Sequence, residues 1–342
     1  MSSYVQKKLA SGSKLHIFVT GATGYIGHVF TEKAIAAGHS VSGLSRTESG
    51  DAVLRALGAT PVRGDLTSLD VLARESTKAD AVVHLAWVHD FAADLQKIAD
   101  GDIAATDAMM EGLAGTGKPI VTASGCGGYE PTADGSPATE ETPKRKGTPF
   151  MDARKRSEDN VLNRTDVHGV VIRLSPYVYG RGGRGFLMLS MSQALKYGES
   201  LYIGEGDNVT STLHVDDAAD LYLSAIQYAG QGQLYNGVSS SETTLRQMAE
   251  AVGEVMEVPV RSISFGEAAE KWGEFLAFFN ALETKVSFEK AKQQLHWLPK
   301  GVPFLEDIVR GSYRDVAAQM KAEGKKNLPA IYGFGKKEDG RV

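Results

Sequence analysis

Residues 14–38 read KLHIFVTGATGYIGHVFTEKAIAAG. Leu15, Ile17, Phe18 and Val19 form a short apolar run rich in β-branched and aromatic side chains, the composition of a strand buried on both faces. Gly21, Gly24 and Gly27 follow at three-residue spacing, and the chain then turns helical as far as Gly38, a glycine stop. Strand, glycine turn and helix in that order make a phosphate site. Gly21 lets the chain leave the strand sharply, Gly24 leaves the backbone open at the helix N-terminus, and Gly27 lets the helix lie close to the sheet. The amide groups of the first helical turn then meet the phosphate charge.

The chain has 342 residues, 42% hydrophobic and 23% charged, enough for a full core in one large or two coupled domains. A net charge of −5 without a long basic run argues against a nucleic-acid partner. Cys126 is the only cysteine, so no intrachain disulfide forms and a reducing compartment is favoured. The opening MSSYVQKKLASGS lacks a signal-peptide core, and no apolar stretch reaches membrane-spanning length. A cytoplasmic protein is expected, with residues 1–13 a flexible arm and 331–342 a tail.

The turn TGATGYIG has GxxGxxG spacing. It resembles the extended and atypical short-chain dehydrogenase/reductase superfamily, of the NAD(P)-dependent epimerase/dehydratase kind. That resemblance implies an α/β fold: a Rossmann doubly wound parallel sheet with a smaller C-terminal α/β substrate lobe. Residues 14–174, with 213–236 returning, would bind the nucleotide; 175–212 and 237–330 would form the lobe. Gly21, Thr23, Gly24, Tyr25, Ile26 and Gly27 would then touch the cofactor. The second strand ends in Ser45-Arg46-Thr47, with no carboxylate to pair with a ribose 2′-hydroxyl. Arg46 suits a 2′-phosphate, with Ser45 and Thr47 adding hydrogen bonds, so NADP(H) is the expected cofactor. After the third strand, Asp65-Leu66 matches the family's aspartate and aliphatic residue at the adenine. The fourth strand ends in HLAW, which places Leu85, Ala86 and Trp87 beside the cofactor, and His89 follows on the ligand-binding side. His84 itself reads as a core histidine.

Reductases of the superfamily use a serine after the fifth strand and a YxxxK pair on the next helix. The tyrosine is the general acid or base; the lysine binds the nicotinamide ribose and lowers the tyrosine pKa. Here the fifth strand is read at 119–123, and the next helix begins Pro149-Phe150-Met151-Asp152-Ala153-Arg154-Lys155. Its register against the following strand puts Lys155 at the lysine and Met151 at the tyrosine, and methionine has no proton to give. Counting back from Tyr129 puts Gly125 at the serine position, with Ser124 beside it. The catalytic candidates are therefore Lys155, Tyr129 and Ser124, with Tyr129 the first substitute donor and Tyr177, Tyr179, His89 and His214 the others.

The sixth strand, residues 168–174, leads into Ser175-Pro176-Tyr177-Val178-Tyr179-Gly180, which resembles the family segment ending in VYG. Pro176 and Tyr177 would lie near the carboxamide. Arg181-Gly-Gly-Arg184 reads as a flexible positive loop that is no phosphate cradle, because no strand precedes it directly. Substrate-side candidates are His89, Met151, Tyr179, Phe186 and His214. Asp216 and Asp217 are expected to cap the helix after His214. Trp272, Phe275, Phe278 and Phe279 recur at helical spacing, a pattern of core or subunit contact before that of a substrate box. The expected activity is NADP-dependent reduction of a carbonyl or related double bond of a small organic molecule. The alternatives are a non-redox NADP-binding sensor or scaffold, and an epimerase, lyase or cyclase that holds NADP as a structural cofactor. A homodimer is expected by family analogy alone.

Overall fold

Phe18 and its neighbours Ile17 and Val19 point to opposite faces of one strand, and both faces are covered. The structure, a computed structural model, describes residues 13–88 and 94–324. The first half runs β1 (His16–Thr20), α1 (Tyr25–Ala36), β2 (Ser40–Ser45), α2 (Glu48–Ala56), β3 (Thr60–Arg63), α3 (Leu69–Lys78) and β4 (Ala81–His84). It continues with α4 (Leu95–Leu113), β5 (Pro119–Gly125), α5 (Pro149–Leu162) and β6 (His168–Leu174). Then come β7 (Tyr177–Tyr179), α6 (Phe186–Tyr197), β8 (Ser200–Ile203), β9 (Val209–His214), α7 (Val215–Tyr228) and β10 (Gln233–Gly237). The last part holds β11 (Ser240–Thr244), α8 (Leu245–Met256), β12 (Val260–Ile263), α9 (Phe265–Trp272), α10 (Glu274–Ala281) and three further short helices.

Seven strands form one parallel sheet in the order β3-β2-β1-β4-β5-β6-β10. On one face, Ile17, Val19, Val83 and Val121 pack with Phe30 of α1 and Tyr222 of α7. On the other, Phe18, Val82 and Ile120 meet Leu72 of α3, Met109 of α4 and Val161 of α5. This is the doubly wound α/β arrangement. Strand order reverses between β1 and β4, so a crevice opens beyond their carboxyl ends, where such sheets bind ligands. Two small sheets, β11-β9-β7 and β12-β8, lie outside the main one. Tyr177, Leu187, Met191, Met248 and Val252 fill a separate core between α6 and α8.

The observed elements depart from expectation at several places. The fourth strand ends at His84, not Trp87, and the fifth extends to Gly125. The strand β7 does precede the Arg181–Arg184 loop directly, and that loop is pinned. Arg181 donates to Asp216 (2.6 and 2.9 Å) and Glu32 (2.8 Å). The aspartates after His214 do not cap α7; the His214 ring does, accepting from the Asp216 amide. Asp217 instead accepts from the amides of Lys300 (2.7 Å) and Gly301 (3.0 Å). From residue 304 the chain forms two helices, Phe304–Val309 and Ser312–Glu323. Asp307 stands at the break between them, accepting from the amide and hydroxyl of Ser312.

Candidate cofactor and active site

The glycine turn after β1 is shaped by two contacts that only glycine permits. Gly21 has φ +71°, and a Cβ there would lie 2.7 Å from the Ala86 amide nitrogen. A Cβ on Gly27 would fall on the Gly21 carbonyl oxygen. Gly24 is the N-cap of α1; among the described residues no side chain caps this end, and the first turn carries no acidic residue. Thr23 and Gly24 are exposed, whereas Tyr25 and Ile26 are partly covered. An uncapped helix N-terminus behind an exposed small-residue turn fits the pyrophosphate of a dinucleotide.

At the end of β2 the three expected residues divide the work. Ser45 is buried and donates to the Thr47 carbonyl (3.0 Å), while Thr47 caps α2 by accepting from the Gly50 amide (3.1 Å). These hydroxyls build the turn, and Arg46 is the exposed group it presents. Asp65 also serves its own turn, accepting from the Thr67 hydroxyl (2.6 Å) and amide (2.8 Å). Those bonds hold its carboxyl below the usual carboxylate pKa. Leu66 beside it is partly buried.

The α5 helix turns a different cation inward from the one its sequence register implies. Lys155 is exposed, and its ammonium pairs with Asp159 at 2.5 Å, away from the sheet. The inward cation is its neighbour Arg154. Nη2 of Arg154 donates to the Ala123 carbonyl (2.6 Å) in β5, and the guanidinium carbon lies 3.9 Å from the Trp87 ring centroid. Burial draws the Arg154 pKa down, opposed by the charges of Asp102 and Glu158. Both carboxylates are already engaged, Glu158 by Arg173 and Lys144, and Asp102 by His84. Four residues earlier stands Phe150, whose ring meets Phe275 edge-on at 5.7 Å. The i, i+4 pair on this face is therefore Phe150 and Arg154, not Met151 and Lys155. Met151 is buried against Gly128, where a Cβ would strike its sulfur.

Ser124 and Tyr129 are likewise withdrawn from the crevice. The Ser124 hydroxyl donates to Glu158 at 2.5 Å. Arg173 forks onto the same carboxylate (2.6 and 3.0 Å), and Lys144 donates to it (3.1 Å) and to the Gly125 carbonyl (2.9 Å). Arg173 also donates to the Tyr129 hydroxyl (2.7 Å), which donates onward to Asn236 (2.6 Å). Burial pushes the Tyr129 pKa far up. A hydroxyl so held is a poor proton donor, and the network instead fastens the loop between β5 and α5 to the sheet.

The remaining candidates are committed too. Tyr177 is buried and donates to Asn280 (3.1 Å), and Tyr179 donates to the Val302 carbonyl (2.6 Å). The His214 ring packs edge-on against Tyr179 at 5.2 Å, wedged where a Cβ on Gly180 or Gly301 would strike it. The hydroxyls of Tyr177 and Tyr179 and the His214 ring are thus engaged within the protein. Pro176 and Phe186 keep part of their surface exposed. His89 lies outside the described residues. His84 is a core residue, bonded to Thr20 (2.6 Å) and Asp102 (2.9 Å). Leu85, Ala86 and Trp87 follow it as a partly buried segment against the Gly21 turn and Arg154.

Arg154 and Phe150 are the residues that sequence reasoning missed. Helical counting from Val161, the apolar anchor of α5, would have found the first: positions 158, 157 and 154 share its face, and 155, 156 and 159 oppose it.

A sequence model of the NAD dependent epimerase/dehydratase family matches residues 17–236. An uncharacterized protein of Saccharomyces cerevisiae is 32% identical over 303 residues, 87% of this chain and 99% of that one. A UDP-glucose 4-epimerase of Mycolicibacterium smegmatis is 26% identical over 265 residues, 72% of this chain and 84% of the relative. The crystal structure of a dTDP-glucose 4,6-dehydratase from Streptomyces venezuelae, with NAD bound, superposes with a TM-score of 0.72 at 20% identity. It covers 90% of this chain and 99% of its own.

Proposed function

Because this chain belongs to the NAD dependent epimerase/dehydratase family, we propose that it is an NADP-dependent oxidoreductase working without a side-chain acid on α5. It reduces a carbonyl or related double bond of a small organic molecule. When bound, the nicotinamide supplies the hydride. The uncapped N-terminus of α1 takes the pyrophosphate, and Arg46 pairs with the 2′-phosphate. Arg154 stands in for the lysine at the nicotinamide ribose, held in place by the Ala123 carbonyl and the Trp87 face. A guanidinium stays protonated at any working pH, so it stabilises negative charge growing on the substrate oxygen without giving up a proton. The proton that completes the alcohol then comes from water. The observation that carries this reading is the Phe150–Arg154 pair: a fixed cation with a phenylalanine, not a tyrosine, four residues before it.

The test is binding and turnover. NADPH should bind at least tenfold more tightly than NADH, and Arg46→Glu should reverse that order. With a carbonyl panel, the pH–rate profile should lack the limb of a titrating tyrosine, and Phe150→Tyr should introduce one. NADPH binding without consumption by any carbonyl or imine overturns the redox reading. The withdrawal of Ser124 and Tyr129 into the buried network favours a second reading, in which the cofactor is structural. Substrate converted with the cofactor recovered unchanged would mark an epimerase, lyase or cyclase.

A further inference from the structure

A chain of three buried side chains runs from α4 to the cofactor crevice. Asp102 of α4, His84 at the end of β4 and Thr20 at the end of β1 are 6%, 2% and 0% exposed. Thr20 and His84 stand side by side in the β1–β4 ladder, where the strand order reverses. His84 Nε2 lies 2.9 Å from Asp102 Oδ1, and His84 Nδ1 lies 2.6 Å from the Thr20 hydroxyl oxygen. Packing alone does not call for a carboxylate here, since an aliphatic residue fills such a space without the cost of burying a charge.

The bonds of this chain run in one direction. Burial would raise the Asp102 pKa, but the His84 hydrogen bond and the field of Arg154 outweigh it and hold the carboxyl below its usual range. A carboxylate only accepts, so Nε2 of His84 carries the hydrogen. Nδ1 of that neutral ring only accepts, so the Thr20 hydroxyl donates to it. Were Nδ1 protonated too, the Thr20 hydrogen would find no other acceptor among the described residues. The Thr20 lone pairs are left for the Ala86 amide, which donates to them at 3.4 Å, while the Leu85 amide donates to the Thr20 carbonyl at 3.1 Å. The β4–β5 ladder stops at His84 and Thr122, so Thr20 holds the first two amides of the Leu85–Trp87 segment. That segment lies against the bare Cα of Gly21 and carries the ring under Arg154.

We propose that Asp102 and His84 are positioning residues of the cofactor site. Asp102 fixes the His84 tautomer, the tautomer sets the direction of the Thr20 hydroxyl, and that hydroxyl holds the Leu85–Trp87 wall in place for the dinucleotide. With the other tautomer, Nδ1–H and the Ala86 amide would both donate to one oxygen, and the Thr20 hydrogen would be stranded. This rests on the dinucleotide reading of the crevice and not on hydride transfer.

The test uses the full chain, isotope-labelled at the histidine ring nitrogens. Nuclear magnetic resonance reads the His84 tautomer, its signals identified by their loss in His84→Gln, and calorimetry reads the NADPH Kd. The expected wild-type signature is hydrogen on Nε2 and none on Nδ1. Asp102→Asn keeps the shape but can donate to Nε2, which admits the other tautomer. Its NADPH Kd should rise about tenfold, the size of one hydrogen bond lost with its partner left buried. Thr20→Val should give the same rise, and Thr20→Ser, which keeps the hydroxyl, roughly twofold at most. The double variant Asp102→Asn/Thr20→Val should bind no more weakly than Thr20→Val, because both act through one hydroxyl. A role in packing alone would lower the urea midpoints of the variants and leave their Kd values at that of the wild type. Hydrogen on Nδ1 in the wild type, or an unchanged Kd in Asp102→Asn and Thr20→Val, overturns the proposal. The wild-type spectrum and the two Thr20 variants decide even where Asp102→Asn fails to fold. A wild type that binds neither NADPH nor NADH sinks the dinucleotide reading and this proposal with it; normal binding with unmoved variants sinks this proposal alone.

Discussion

Arg154 carries a full charge in a half-buried place because three neighbours compensate it: the Ala123 carbonyl, the Trp87 face and the more distant field of Asp102. Hydrogen bonds to charged groups contribute about 1.5–3 kcal/mol. Arg154→Ala should therefore raise the NADPH Kd roughly ten- to a hundredfold, and Arg154→Lys should recover part of the loss, both measurable by fluorescence titration. Lys155→Ala should leave that Kd unchanged, because its ammonium is spent on Asp159. The strand, glycine turn and helix from His16 to Ala36 were legible in the sequence, since they follow from residue type and local order. The inward placement of Arg154 was not, because three adjacent cations, Arg154, Lys155 and Arg156, look alike until helical phase separates them.

As an element, α5 has three faces with different duties. Arg154 meets β5 and Trp87, Lys155 faces water, and Glu158 enters the buried network with Arg173, Lys144 and Ser124. Removing one member of such a group strands the others. Glu158→Gln should cost about 3–5 kcal/mol of unfolding free energy, read from the urea midpoint. The ammonium of Lys144 and guanidinium of Arg173 hold the Glu158 carboxyl down at about 2, against an ordinary value of 4.5. A carboxyl with a depressed folded-state pKa contributes stability fully above about pH 4.5 and loses it as pH falls toward about 2. Acid unfolding followed by circular dichroism should be steep across that window in the native chain and shallower in Glu158→Gln. No reading of sequence order could assemble this network, since its members come from positions 124, 129, 144, 158, 173 and 236 and meet only when β5, β6, β10 and the loop before α5 close together.

At the scale of the whole molecule, the glycine turn of the main sheet is gripped by the segment after β7. The Tyr25 hydroxyl donates to the Gly180 carbonyl at 2.5 Å, and a Cβ on Gly183 would lie inside the Tyr25 ring. Arg181 ties the same segment to Glu32 of α1 and Asp216 of α7. Gly183→Ala should therefore cost about 1–3 kcal/mol through overpacking and weaken NADPH binding as well. Pairing it with Tyr25→Leu, which clears the clash, should give less than the sum of the two single losses in a double-mutant cycle. The reading of this segment as a flexible loop failed because its tether is a ring 155 positions away in sequence. Among the described residues, no helix is long and apolar enough to cross a membrane.

The chain leaves the main sheet after β6, builds β7 to β9, returns through α7 and β10, and leaves again. Recombination with a relative at one crossover after residue 174 would exchange the sheet's own edge strand and the helix behind β1 together with whatever specificity was sought. Exchanging the rest of the second half while keeping the native sheet edge requires two exchanged blocks, β7–β9 and the chain after β10, flanking a retained α7–β10 insert.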